Sequence, residues 1–208
     1  MLRRRVRGNA SASVAAALVA AIGAAGCFDA GDDPPQPPAA TRGAPGSTVS
    51  GPLCDALPAG DDPGAPASLT DEPADVALTW IPVVTTFEAA LRASRLDGEL
   101  RSTDGVTILA PTDDAFTAAF SRQRLDQLLL SRRRQLRALL DAHIVDGAHS
   151  LAELLEAGHV TTRAGDTISV TRAGAMARLD DRAETVCADY AVANARIHVI
   201  DGVLGPSP

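Results

Sequence analysis

The spacing of apolar residues changes at Gly158, and this change restricts the fold class. Up to that point, "SLAELLEAG" (150–158) places its leucines on one helical face, with a Ser150–Glu153 capping box at its start and Gly158 at its end. Beyond it, "DTISVTR" (166–172) alternates apolar and polar residues, as a half-buried strand does. Helical patterns dominate the first half of the chain and strand patterns the second. The chain is therefore predicted to form an α+β domain.

Two further segments predict how strands begin and end. "GVTILAPTDDAF" (105–116) predicts a strand that Pro111 ends, followed by a helix that Thr112 caps. "ARIHVIDGVLGP" (195–206) predicts a strand, a tight Asp201–Gly202 turn and a second short strand.

The N-terminal segment has the organisation of an export signal. Four arginines lie within the first seven residues, and the apolar stretch 10–26 follows them and ends in small residues before Cys27. This arrangement resembles the lipobox of bacterial lipoproteins, where the signal is removed before a cysteine that carries a diacylglyceride. We therefore expect residues 1–26 to be a lipoprotein signal peptide and Cys27 to be lipidated. Plain secretion after an ordinary cleavage and a retained membrane anchor are the alternatives.

The chain has three cysteines, an odd number for an exported protein. If Cys27 carries lipid, Cys54 and Cys187 remain as one pair in an oxidising compartment, where they are expected to form a disulfide. Two unpaired thiols are the alternative.

Residues 27–52 are expected to be a disordered tether between the lipidated cysteine and a single domain at 53–208. Stretch 28–52 contains six prolines and almost no apolar periodicity, so it cannot bury enough surface to fold.

The charge distribution argues against nucleic acid as a partner. The formal net charge is −7, and it becomes −11 without residues 1–26, since 26 acids then face 15 arginines. An acidic body has no electrostatic reason to bind a phosphate backbone.

Three segments together resemble the fasciclin domain family. "TILAPTDDAF" (107–116) is similar to its first signature, "LLDAHIVDG" (139–147) to its central histidine segment, and "ANARIHVIDGVLGP" (193–206) to its second signature. The resemblance implies a β-sandwich-like wedge flanked by a group of short helices, with adhesion or binding at a cell surface and no chemistry of its own. Structural roles are expected for the residues that match the motifs: Pro111, Thr112, Phe116, His143, Asn194, Asp201 and Gly202.

No segment of the sequence predicts catalysis, a metal site or a cofactor. His143 lies on an apolar helix face and is expected to be a hydrogen-bonded core residue. His149, His159 and His198 lack metal-ligand spacing, and His198 alternates with apolar neighbours as an exposed strand residue would. The acidic pairs, including Asp113–Asp114, lack the spacing of a calcium loop.

The sequence thus predicts a lipid-anchored protein of the bacterial cell envelope that binds a cell-surface protein or glycan. In a cell with two membranes, the absence of aspartate after Cys27 favours the outer membrane, because Phe28 stands there. One alternative is an envelope hydrolase or small-molecule-binding protein with a cleft near His143. Another is a passive structural component of the envelope.

Overall fold

The computed structural model describes residues 48–205. The helices within this range are α1 (Ala74–Ala77), α2 (Thr85–Ser94), α3 (Leu96–Arg101), α4 (Asp113–Ala119), α5 (Arg122–Ser131), α6 (Arg133–Asp141) and α7 (Leu151–Ala157). Short 3-10 helices occupy Cys54–Ala56, Pro66–Leu69 and Leu78–Trp80. None of these helices combines the length and the apolar character that crossing a membrane requires.

The strands within this range form one sheet. They are β1 (Val106–Pro111), β2 (Ile144–Asp146), β3 (His159–Thr161), β4 (Thr167–Ala173), β5 (Met176–Leu179), β6 (Ala183–Val192) and β7 (Ala195–Ile200). Their order is β2-β1-β7-β6-β5-β4-β3, with β1 and β7 parallel and the other neighbours antiparallel. The predicted α+β class is confirmed.

The two edges of this sheet approach each other. Val145 of β2 forms an isolated antiparallel bridge with Thr162, just after β3, and the Arg163 amide donates to the Ile144 carbonyl at 2.7 Å. The sheet is therefore bent until it is nearly closed, and its two halves face each other as the layers of a sandwich do.

Two groups of buried side chains hold the helices on this sheet. The larger group joins the helices before β2 to strands β1, β6 and β7, with Phe87, Leu100, Phe116 and Leu136 among its fully buried members. The smaller group joins Leu154 of α7 to buried residues of strands β4 and β5. α7 thus buries Leu151 and Leu154, two leucines of the face that its spacing predicted.

The structure differs from the sequence-based expectation at both ends of the domain. Residues before 53 were expected to be tether, yet Ser50 exchanges two backbone hydrogen bonds with Ala188 of β6, at 3.1 and 2.8 Å. No second strand forms in the described residues 202–205, because the Leu204 amide donates to the His143 side chain and not to a neighbouring strand.

Candidate functional site

The three segments that resemble the fasciclin signatures lie side by side at the end of the sheet that β2 forms. β1 pairs with β2, so that Ile108 opposes Ile144, and with β7, so that Pro111 opposes Ile200. The segments are separated along the chain but contiguous in the sheet. The motif residues therefore lie along three neighbouring strands and the segments that flank them, with Asn194 before β7 and Asp201 after it.

The junction between β1 and α4 forms as the sequence predicted. Pro111 is the last residue of β1, and the Thr112 hydroxyl accepts a hydrogen bond from the Ala115 amide at 3.1 Å. Phe116 is buried and stacks on Phe120, with ring centroids 6.3 Å apart. The threonine satisfies a free amide at the start of α4, which fixes the direction in which the helix leaves the sheet.

Asp113 has a role that sequence reasoning missed, because its carboxylate caps a different helix. It accepts hydrogen bonds from the Thr86 amide at 2.6 Å, the Thr85 hydroxyl at 2.8 Å and the Thr85 amide at 3.3 Å. The N-cap residue of α2 is Val84, which has no side-chain acceptor. That uncapped start was the signal in the sequence, since the free amides of α2 need an acceptor from elsewhere.

Asn194 connects three parts of the chain through its amide group. Its oxygen accepts from the Ala74 amide at 2.9 Å, and its nitrogen donates to the carbonyls of Leu100 at 2.7 Å and Thr103 at 3.0 Å. These are all backbone groups, so the side chain is fully used in holding α1 and the end of α3 against the sheet.

Asp201 and Gly202 form a tight bend after β7. The Asp201 carboxylate accepts from the Glu184 amide at 2.6 Å. A Cβ atom on Gly202 would lie 2.2 Å from the Arg182 carbonyl oxygen, so no other residue type fits this position without movement of the backbone.

His143 is a buried link between α6 and the C-terminal segment. Its Nδ1 lies 2.8 Å from the Leu139 carbonyl, and its Nε2 accepts from the Leu204 amide at 2.9 Å. The ring meets Phe87 edge-on, with centroids 5.9 Å apart. Burial lowers the pKa of His143 from 6.5 to about 4, against the opposing effect of the hydrogen bond to Leu139. The imidazole is thus neutral, with its proton on Nδ1.

This geometry leaves the His143 side chain no part in the chemistry of the alternative, a hydrolytic or ligand-binding cleft near it. The side chain is fully buried, and both ring nitrogens are engaged by backbone groups. Neither nitrogen is free to take a proton from a substrate.

The expectation of an exposed His198 is wrong. His198 is fully buried, its Nε2 lies 2.9 Å from the His149 carbonyl, and its Nδ1 accepts from the Asp189 amide at 3.3 Å. Burial also lowers its pKa. The alternation failed because β7 lies between β1 and β6 with both faces covered, so the successive residues 197–200 are all buried.

A disulfide joins Cys54 to Cys187, with their Cα atoms 5.1 Å apart. It connects the first 3-10 helix to β6, beside the pairing of Ser50 with Ala188. Cys27, the predicted signal peptide 1–26 and the first part of the predicted tether lie outside the described residues.

A groove of about 440 Å³ runs along the seam where β2 approaches β3, beside α7. We call it the seam groove; its polar side chains include His149, Glu153 and His159. Hydrogen bonds from the Ser150 amide and hydroxyl lower the pKa of Glu153 and hold it ionised. Within residues 48–205, no three His, Cys, Asp or Glu side chains are grouped so that they could hold a metal ion. The groove offers hydrogen bonds and charge to a partner.

Comparison with known proteins finds the same family as the motifs. A family model of the fasciclin domain matches residues 82–206. The chain is 32% identical to the immunogenic protein MPB70 of Mycobacterium bovis over 82% of this chain and 86% of that protein. It is 27% identical to the cell surface glycolipoprotein MPB83 of the same species over 99% of both chains. It is also 32% identical to the protein sll1483 of Synechocystis over 59% of this chain and 67% of that protein.

A solved FAS1 domain pair from the insect cell adhesion molecule Fasciclin I aligns with a TM-score of 0.47 and 22% identity, over 60% of this chain. The aligned part of this chain spans 45% of the length of that structure.

Proposed function

The chain belongs to the fasciclin domain family, and on this premise we propose that it is a lipid-anchored protein of the cell envelope that binds a surface protein or glycan. The observation that carries the proposal is the match to a cell surface glycolipoprotein over nearly the whole of both chains, including the segment that contains Cys27. In this proposal residues 1–26 are removed as a signal peptide, Cys27 carries the lipid, and the following residues hold the domain away from the membrane. The outer membrane is the proposed location in a cell that has two.

The internal use of the motif side chains supports binding over catalysis. His143 and Asn194 direct their polar atoms at backbone groups of the domain. Holding the fold together is sufficient to explain why these two side chains are present. Contacts with a partner are therefore assigned to the exposed surface, and the seam groove is the proposed place, because the exposed strand β3 and polar side chains border it.

The anchor is tested by the intact mass of the protein extracted from cells with detergent. We expect a chain that begins at Cys27 and carries acyl groups, with Cys54 and Cys187 oxidised. The variant Cys27→Ala is the control and is expected to lose the acyl mass and leave the membrane fraction. A soluble wild-type chain that begins at another residue contradicts the proposal.

The partner is tested by cross-linking at the surface of intact cells followed by mass spectrometry. We expect one protein or glycan to be recovered with the wild-type chain and lost with Thr161→Arg, which places a long charged side chain in the seam groove. Thr171→Arg is the matched control, since Thr171 is also an exposed strand residue but does not line the groove. Recovery of nothing from wild type supports a passive structural role and refutes specific binding.

A further inference from the structure

A second surface, separate from the seam groove, has the chemistry of a membrane contact. It consists of the exposed side chains of Leu130 at the end of α5 and of the arginines around it, Arg122, Arg132, Arg133 and Arg134. We call it the α5–α6 patch. Leu130 is 85% exposed, whereas Trp80, the other large apolar side chain exposed in residues 48–205, is 49% exposed. The position of Leu130 among arginines distinguishes it from an isolated surface leucine.

The arginines of the patch have no carboxylate partner in the described part of the chain, unlike many others there. Within the described range 48–205, the arginines that form salt bridges all lie outside the patch: Arg92, Arg101, Arg137, Arg163 and Arg178. The patch guanidinium groups are therefore free to contact an external anion.

The charge of the patch is opposite to that of the remaining domain. Residues 121–135 contain five arginines and one aspartate, a net charge of +4. The other residues of 48–205 contain nine arginines and 22 acids, a net charge of −13. An anionic partner is thus attracted by this face and repelled by the others.

The basic residues of the patch lie on both sides of Leu130 along the chain. Gln123, Asp126, Gln127 and Ser131 line one concavity of about 520 Å³ on α5, which Leu130 and Arg122 also border. A rise of about 1.5 Å per residue places them roughly 12 Å apart along the helix axis. Arg132, Arg133 and Arg134 follow Leu130 after one residue, Ser131, so basic residues lie on both sides of the exposed leucine along the chain.

We infer that the α5–α6 patch docks on the surface of a membrane rich in anionic phospholipid. The guanidinium groups contact headgroup phosphates, and Leu130 enters the boundary between headgroups and acyl chains. A flat membrane contacts only this face, whereas a flexible anionic polymer or an acidic protein of similar size would also meet the repulsive surface around it. This inference concerns a surface other than the proposed partner site, and it does not require lipid on Cys27.

The test places a fluorescent reporter at the centre of the patch in the full chain. Leu130→Trp is combined with Trp80→Phe, because Trp80 is the one tryptophan of the sequence. The chain is mixed with vesicles of equal parts phosphatidylglycerol and phosphatidylcholine whose acyl chains carry bromine, a short-range quencher of tryptophan. Every variant keeps the same N-terminal segment, so quenching at position 130 reports the patch and not attachment elsewhere.

We expect quenching with the anionic vesicles and loss of quenching at high salt or with vesicles of phosphatidylcholine alone. Arg133→Glu is expected to weaken the quenching-detected partition roughly 20-fold, since each basic residue near such a surface contributes about fivefold. The matched control is Arg172→Glu, an exposed arginine on β4, which is expected to change the partition less than twofold. The urea midpoints of both variants verify that the domain is folded.

Four results overturn the inference. The first is the absence of quenching at position 130, and the second is equal quenching by the two kinds of vesicle. The third is an equal loss with Arg133→Glu and Arg172→Glu. A change in fluorescence without vesicles, together with a doubled mass in solution, shows that a second copy of the chain covers the patch and also overturns it.

Discussion

Replacing His143 with glutamine is predicted to remove much of the pH dependence of stability between about pH 7 and pH 5. The pKa of His143 is 6.5 in the unfolded chain and about 4 in the folded domain, chiefly because of burial. As the pH falls below 6.5, the unfolded chain binds a proton that the folded domain excludes. The contribution of His143 to stability is therefore lost as the pH falls from about 6.5 to about 4 and changes no further below that.

The size of this effect follows from the difference between the two pKa values. A difference of about 2.5 pH units corresponds to roughly 3 kcal/mol of unfolding free energy, of which about 2 kcal/mol is lost between pH 7 and pH 5. The variant is also expected to be less stable near pH 7 by about 1–3 kcal/mol, because the Leu139 carbonyl or the Leu204 amide loses its partner.

The assay is urea unfolding of the oxidised protein near pH 7 and near pH 5. The wild-type domain is expected to lose about 2 kcal/mol more than His143→Gln between the two pH values. Contributions from other titrating groups, including His198, are shared by both proteins and cancel in this difference. The control is His159→Gln, at an exposed position, which should keep the wild-type dependence. Equal losses in wild type and His143→Gln would refute the assignment of a buried, neutral imidazole.

Three further predictions concern the contacts that hold the domain. Asp113→Ala is expected to lower the free energy of unfolding in urea by about 1–2 kcal/mol, because α2 loses its cap. The control is Asp114→Ala at the exposed neighbouring position, which should change stability by less than about 0.5 kcal/mol. Equal losses of stability in the two variants would contradict the cap of α2 by Asp113. Gly202→Ala is expected to cost at least about 2 kcal/mol, because its methyl group would lie 2.2 Å from the Arg182 carbonyl oxygen. The control is Gly98→Ala, on an open face of α3, which should stabilise the domain by up to about 1 kcal/mol. A Gly202→Ala domain as stable as wild type would refute the close approach of Gly202 to the Arg182 carbonyl. Reduction of the disulfide is expected to lower the free energy of unfolding by up to about 5 kcal/mol, because its cysteines are 133 residues apart in sequence. An unchanged urea midpoint after reduction would show that the bond does not constrain the unfolded chain.

Short-range features of the chain were predictable because both partners lie within a few residues. The capping box of α7 is present as predicted, with the Ser150 hydroxyl accepting from the Glu153 amide and the Glu153 carboxylate accepting from the Ser150 amide. The same holds for Thr112 at the start of α4. A helix cap of this kind depends on local backbone geometry, which a short stretch of sequence specifies by itself.

The buried histidines show where local patterns stop being sufficient. His143 was predicted to lie in the core, because the helix that precedes it presents an apolar face. His198 was predicted to be exposed, because its neighbours alternate in the manner of a half-buried strand. That pattern carries no information on how many faces of the sheet other elements cover, and here both faces of β7 are covered.

The α+β class, the family and the helix caps at Thr112 and Ser150 could be predicted from the sequence, since each follows from the order of neighbouring side chains. Which distant groups meet became known only from the fold: Asp113 with the start of α2, Asn194 with two separate backbone segments, and His143 with Leu204. The physical reason is that a hydrogen bond requires its two atoms within about 3 Å. For groups far apart along the chain, the pairing of β1 with β2 and β7 brings them to that distance.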